Sequence, residues 1–80
     1  MADPVAEREH LARAERDIAE GERRVTRQTL LVEELRRDGR DTGEAERHLL
    51  ILQETLASWY SHRDLILQEL ARHEPFHPHR

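Results

Sequence analysis

Six histidines in a chain of 80 residues are the first side chains to ask for chemistry, because imidazole nitrogen is a common metal ligand. Two ligands on one helix must stand three or four residues apart to share a face. His10, His48 and His62 have no histidine partner at that spacing, and His48 and His62 are two heptads apart. His73, His77 and His79 can gather round an added divalent ion, but Pro75 and Pro78 leave that terminus without fixed geometry or supporting hydrogen bonds. The expectation is a solvated tail, with no metal site and no cofactor.

Carboxylate pairs such as Glu33-Glu34 and Glu44/Glu46 occur, yet general acid–base work needs burial or a like-charged neighbour to shift a pKa. There is no Ser/His/Asp constellation, and no cysteine to serve as nucleophile, ligand or disulfide partner. The three glycines, Gly21, Gly39 and Gly43, are too scattered for a phosphate loop. No catalytic residue is expected, and the chain reads as a non-enzyme.

The most suggestive polar cluster is His62-Arg63-Asp64. Arg63 falls between Trp59 and Ile66 at a position where the pattern around it calls for an apolar residue. One reading makes it an anchor for an acidic partner or ligand. The favoured one lays its stem along the apolar face and sends the guanidinium to a first-helix carboxylate, Asp17 or Glu20.

The elements that must position these residues are two helices. Asp3 caps and Pro4 opens the first, which is predicted over about 4–37. Leu11, Ala14, Ile18, Gly21, Val25, Gln28, Val32 and Leu35 then alternate spacings of three and four, forming one narrow stripe. Glu9/Arg13, Glu20/Arg24 and Glu33/Arg37 have the acid four residues ahead of the base, the better orientation on a helix surface. Gly39 suits the left-handed residue that ends a helix, within a turn over 38–41. Asp41 or Thr42 caps the second helix, with Asp41 and Glu44 at capping-box spacing.

That second helix is predicted over about 42–72. Its main stripe is Ala45, Leu49, Leu52, Leu56, Trp59, Arg63, Ile66 and Leu70. Beside it runs another, Leu50, Ala57, Tyr60, Leu67 and Ala71, so the apolar face is wider than one partner helix can cover. A connection of about five residues forces the two helices antiparallel and adjacent. Residues 1–73 are thus read as the hairpin and 74–80 as a mobile tail.

Eighty residues make one small domain, and below roughly 70–80 residues a single core seldom supplies more than about 3–5 kcal/mol. Self-association is the natural remedy. The composition, 38% charged and 36% hydrophobic with a net charge of −4, interleaves acids and arginines as solvated helix faces do. It lacks the basic excess of a nucleic-acid binder. No apolar run approaches the roughly 18–20 residues of a membrane span. Met1-Ala2-Asp3-Pro4 is no secretory signal, which makes the cytoplasm the expected location.

The segments Ile18–Val25, Arg27-Gln28, Leu35–Thr42, Leu49-Leu50, Leu56 and His62–Leu65 resemble a group of small helical proteins of rhizobial-type alphaproteobacteria. The likeness extends from about Ala12 to Leu70. It implies a bacterial source and a hairpin shape; no activity is attached to the group, so it implies no catalytic role.

The expected fold is therefore all-α: an antiparallel two-helix hairpin that dimerises into a four-helix bundle. The expected function is a protein-interaction or adaptor module, a homodimer that can also engage another protein, with no membrane contact. Leu50, Trp59, Tyr60, Arg63 and Leu67 are the candidate interface residues. The alternative is an RNA-binding hairpin dimer using the outer arginines Arg13, Arg16, Arg23, Arg24 and Arg27, although Glu20 and Glu22 interrupt that row and no aromatic lies in it for base stacking.

Overall fold

Asp3 and Pro4 start the first helix as their chemistry dictates. In the computed structural model, which describes residues 3–73, the Asp3 carboxylate accepts the Val5 N–H at 3.1 Å, and its carbonyl accepts the Glu7 N–H at 2.8 Å. Helix α1 then runs over Pro4–Arg37. Its end is a Schellman motif: Gly39, at φ 70°, donates its N–H to the Arg36 carbonyl at 3.1 Å, and Arg40 donates to Leu35 at 2.8 Å. Helix α2 spans Gly43–His73. The Asp41 carboxylate accepts the Gly43 N–H at 2.9 Å. No reciprocal Asp41–Glu44 box forms; Thr42 instead donates its hydroxyl to Glu46 at 2.7 Å.

Three bonds join the helices, and two of them, Arg36–Glu46 and Tyr60–Glu22, are separated by the same number of residues on both helices, as one antiparallel register requires. Arg36 pairs with Glu46 at 2.6 Å, Gln28 donates its amide to the Ala45 carbonyl at 3.0 Å, and the Tyr60 hydroxyl donates to Glu22 at 2.6 Å. The outermost of these, Arg36–Glu46, is solvent-exposed and worth no more than about 1 kcal/mol. Gln28 counts for more in specificity, since a polar residue in an apolar seam can be satisfied in one register only.

The alternating three-and-four stripes face each other. Ala14, Ile18 and Val32 of α1 and Leu56, Ile66 and Leu70 of α2 are buried, and the other stripe residues between 11 and 70 are half-buried. Ala14, Ile66 and Leu70 pack as one cluster, with Leu11 against it. Residues 74–80, including His77 and His79 of the expected tail, lie outside the described residues.

The hairpin is one layer deep. Its extents are 59 × 29 × 14 Å and its radius of gyration is 18.2 Å, where a globular chain of this length would have about 12 Å. A thickness of 14 Å is little more than the roughly 10–12 Å diameter of one helix with its side chains. Both broad faces of the layer are therefore open to solvent.

Gly21 sets how closely the helices approach. A Cβ built on it would lie 3.1 Å from Leu56 Cδ1, tighter than an ordinary contact but against the movable end of a side chain. Gly21→Ala should change stability little, because a helix-propensity gain of about 1 kcal/mol is offset by displacing Leu56. Gly21→Leu should destabilise by about 1–3 kcal/mol through overpacking. Thermal unfolding followed by circular dichroism distinguishes the two, and equal melting temperatures for both variants would show that Gly21 does not set the helix separation.

Candidate interaction surface

Successive residues of a helix are 100° apart, so positions three, four and seven apart share a face. That rule places Ala57, Tyr60, Asp64, Leu67 and Ala71 along one shoulder of α2. On α1 the same side of the layer carries Glu22, bonded to Tyr60, and Glu15. Near the open end, Leu11, Ala12 and Glu15 of α1 and Leu67, Leu70 and Ala71 of α2 line an open groove of about 570 Å³, with Arg8 at its margin. Leu50 and Leu67 are 54% and 44% exposed. This shoulder is the second apolar stripe of the sequence, and α1 leaves it uncovered.

Trp59 belongs elsewhere. It is half-buried and opens onto the opposite face, where a hollow of about 200 Å³ is lined by His10, Arg13, Ala14, Asp17, Trp59 and His62. A second hollow of about 250 Å³ shares Asp17 and Trp59 and continues past Gly21 to Arg24 and Leu52. The Trp59 and His62 rings meet edge-on, with centroids 5.6 Å apart at 70°. Of the five candidate interface residues, Leu50, Tyr60 and Leu67 therefore share one side, Trp59 faces the other, and Arg63 lies in the seam between them.

Arg63 does not find a first-helix carboxylate. Helical side chains lean toward the helix N-terminus, and the Arg63 guanidinium accordingly lies over the ring of Tyr60, three residues back, at 5.4 Å from its centroid. Asp17 opens into the hollows on the far face. The Glu20 carboxylate is held by its own helix, by Arg23 at 2.8 Å, Arg24 at 3.1 Å and Arg27 at 3.8 Å. Those hydrogen bonds, from Arg23 and then Arg24, hold the Glu20 carboxyl below its ordinary value. The Nε of Arg63 is buried without a hydrogen-bond partner.

The same Glu20 cluster bears on the outer arginines. Three of the five residues proposed to track a nucleic-acid backbone, Arg23, Arg24 and Arg27, converge on one carboxylate. Of the three acid–base pairs expected along α1, Glu20–Arg24 forms; the described residues show no ion pair for Glu9–Arg13 or Glu33–Arg37. His73 pairs with Glu69 at 3.0 Å. Among the described residues no group of three or more histidine, cysteine or acidic side chains is placed to hold a metal ion, and no helix is long and apolar enough to cross a membrane.

Sequence reasoning missed two things. Ile51 and Leu65 are exposed on the other shoulder of α2, and Val5, Leu30 and Leu31 are exposed on α1, so uncovered apolar surface is not confined to one stripe. The Tyr60–Glu22 bond was also missed, although pairing the helices about Gly39–Arg40 sets residue 60 opposite residue 19, three positions from Glu22. Comparison with protein-family models, with curated proteins and with solved structures gives no match.

Tyr60 offers a direct probe of this geometry because it is the sole tyrosine. Its hydrogen bond to Glu22, then desolvation and the Glu22 charge, push the phenol above its ordinary value. A phenol raised in the folded state contributes stability that is fully present below the unfolded pKa and lost as pH rises through the folded one. Phenolate absorbance should therefore titrate at higher pH in the folded protein than in urea, and Glu22→Gln should close most of that gap. Coincident folded and denatured titrations would exclude the bond in solution.

Proposed function

We propose that this chain is a non-enzymatic protein-interaction module that self-associates through the apolar surface of α2, two hairpins forming a four-helix bundle. The observation that carries the reading is the single layer of helices, which leaves Leu50 and Leu67 exposed with no third helix among the described residues to cover them. The accessible surface supports it. It amounts to 6143 Å², against roughly 5000 Å² for a globular monomer of 9.5 kDa. The excess, about 1100 Å², is more than the roughly 800 Å² that a standard interface removes from each partner.

A nucleic-acid backbone fits this arrangement less well, because Glu20 already neutralises arginines at the centre of the row. A bacterial source, in line with the resemblance around Ile18–Val25 and Leu35–Thr42, and a cytoplasmic location belong to the same proposal.

Light scattering at micromolar concentration should give twice the chain mass of 9.5 kDa. The double variant Leu50→Gln/Leu67→Gln should keep its helicity and dissociate at concentrations at least about tenfold higher, since each buried leucine contributes about 1.5–3 kcal/mol. A monomer at every concentration up to about a hundred times the micromolar range overturns the reading.

A further inference from the structure

The hairpin leaves charges of both signs unanswered along the same boundary. Arg63 stands in the seam with a buried, unpartnered Nε, and its only partner among the described residues is the face of Tyr60. Glu15 and Asp64 flank the Tyr60 side and form no ion pair among the described residues. Asp64 follows Arg63 in sequence, and neighbours one residue apart on a helix do not face each other. The buried Nε is closed to any anion from outside, but the terminal guanidinium nitrogens are accessible and form no hydrogen bond among the described residues, so the cost of this half-buried charge falls when an anion reaches those nitrogens. Glu22, hydrogen-bonded to Tyr60, already accepts the bond that the phenol hydroxyl donates.

We propose that Arg63 is completed by a second copy of this chain: in the dimer, its guanidinium receives the partner's Glu15 or Asp64. The inference rests on the self-association proposed above and names the polar contact that orients it. The occupant follows from the charges themselves. A two-fold axis sets a surface against itself, so residue i meets j and j meets i. One surface carrying an unanswered arginine beside two unanswered carboxylates satisfies both demands under that symmetry, with Leu67 and the apolar groove beside it burying the surrounding area. Arg63 then serves as an orienting anchor within an otherwise non-directional apolar contact.

Two variants test this directly. Arg63→Glu places acid against acid across the axis, and Glu15→Arg/Asp64→Arg places base against base. Each alone should dimerise at least tenfold more weakly than the wild type. Mixed in equal amounts they should form a heterodimer approaching wild-type affinity, because both contacts are then complementary; native mass spectrometry separates the species. Arg63→Met, which keeps the volume and suits the seam, guards against a variant that fails to fold: it should unfold no earlier than wild type at high dilution yet dimerise at least tenfold more weakly. Wild-type dimers with an Arg63→Met protein that dimerises equally well would overturn this inference and leave the self-association standing. So would a mixture that shows no preference for the heterodimer. An effect on hairpin stability at dilution with none on dimer affinity assigns Arg63 to a contact within one hairpin and overturns it as well. A wild type that never dimerises removes both proposals together.

Discussion

A pair of helices can bury only one stripe of each. Everything in this molecule follows from that limit. Where α1 and α2 face each other, the buried side chains are Ala14, Ile18 and Val32 on one side and Leu56, Ile66 and Leu70 on the other, a core one residue deep along its whole length. Helix α1 is built for that situation, with arginines and glutamates over much of its remaining circumference. Helix α2 is not. Leu50, Ile51, Leu65 and Leu67 surround it on the sides that α1 does not reach, a breadth that one neighbouring helix does not cover.

The polar groups of the seam divide into two kinds. Gln28 and Tyr60 are satisfied within the hairpin, by the Ala45 carbonyl and the Glu22 carboxylate, and each bond is available in one register of the antiparallel pair. They contribute modest energy and considerable specificity, since a shift of one residue would strand a polar group against apolar side chains. Arg63 is of the other kind. It occupies a position that isoleucine or leucine would fill with more stability, and the hairpin alone offers it only an aromatic ring.

Most of the fold was legible because its determinants are local. Asp3-Pro4 and Gly39 are positions where backbone geometry restricts the residue type, and the three-and-four spacing of apolar residues specifies both buried stripes without reference to the partner helix. Antiparallel pairing then follows from the short turn. What stayed hidden depends on side-chain direction. Arg63 was expected to reach across to Asp17 or Glu20, a distance argument that ignored the N-terminal lean of helical side chains and the competition for Glu20 from three arginines of its own helix. The grouping of Leu50, Tyr60 and Leu67, apart from Trp59, is likewise visible only once the layer has two sides. The spread of exposed leucine to α1, at Leu30 and Leu31, is not visible in the three-and-four pattern because both residues fall outside the seam register.

The two faces of the layer differ in what they can recruit. The Trp59 face has hollows rimmed by His10, Arg13, Asp17, His62 and Arg24, groups that water solvates well and that lose that solvation on contact. The Tyr60 face has alanines at positions 12, 19, 57 and 71, which let a facing backbone approach closely, and leucines at 50 and 67 that project from it. Small residues bordered by large ones make a surface into which another helix can fit, whereas a charged rim holds it off. Ile51 and Leu65 stand exposed on the other shoulder, so apolar area alone does not choose between the faces; the alanines and the groove beside Leu67 favour the Tyr60 side, provided its carboxylates Glu15 and Asp64 meet a cation when their hydration is lost. Charges within such a patch then matter more for orientation than for affinity, and Arg63, with its unpartnered Nε, is the cation that borders it from the seam.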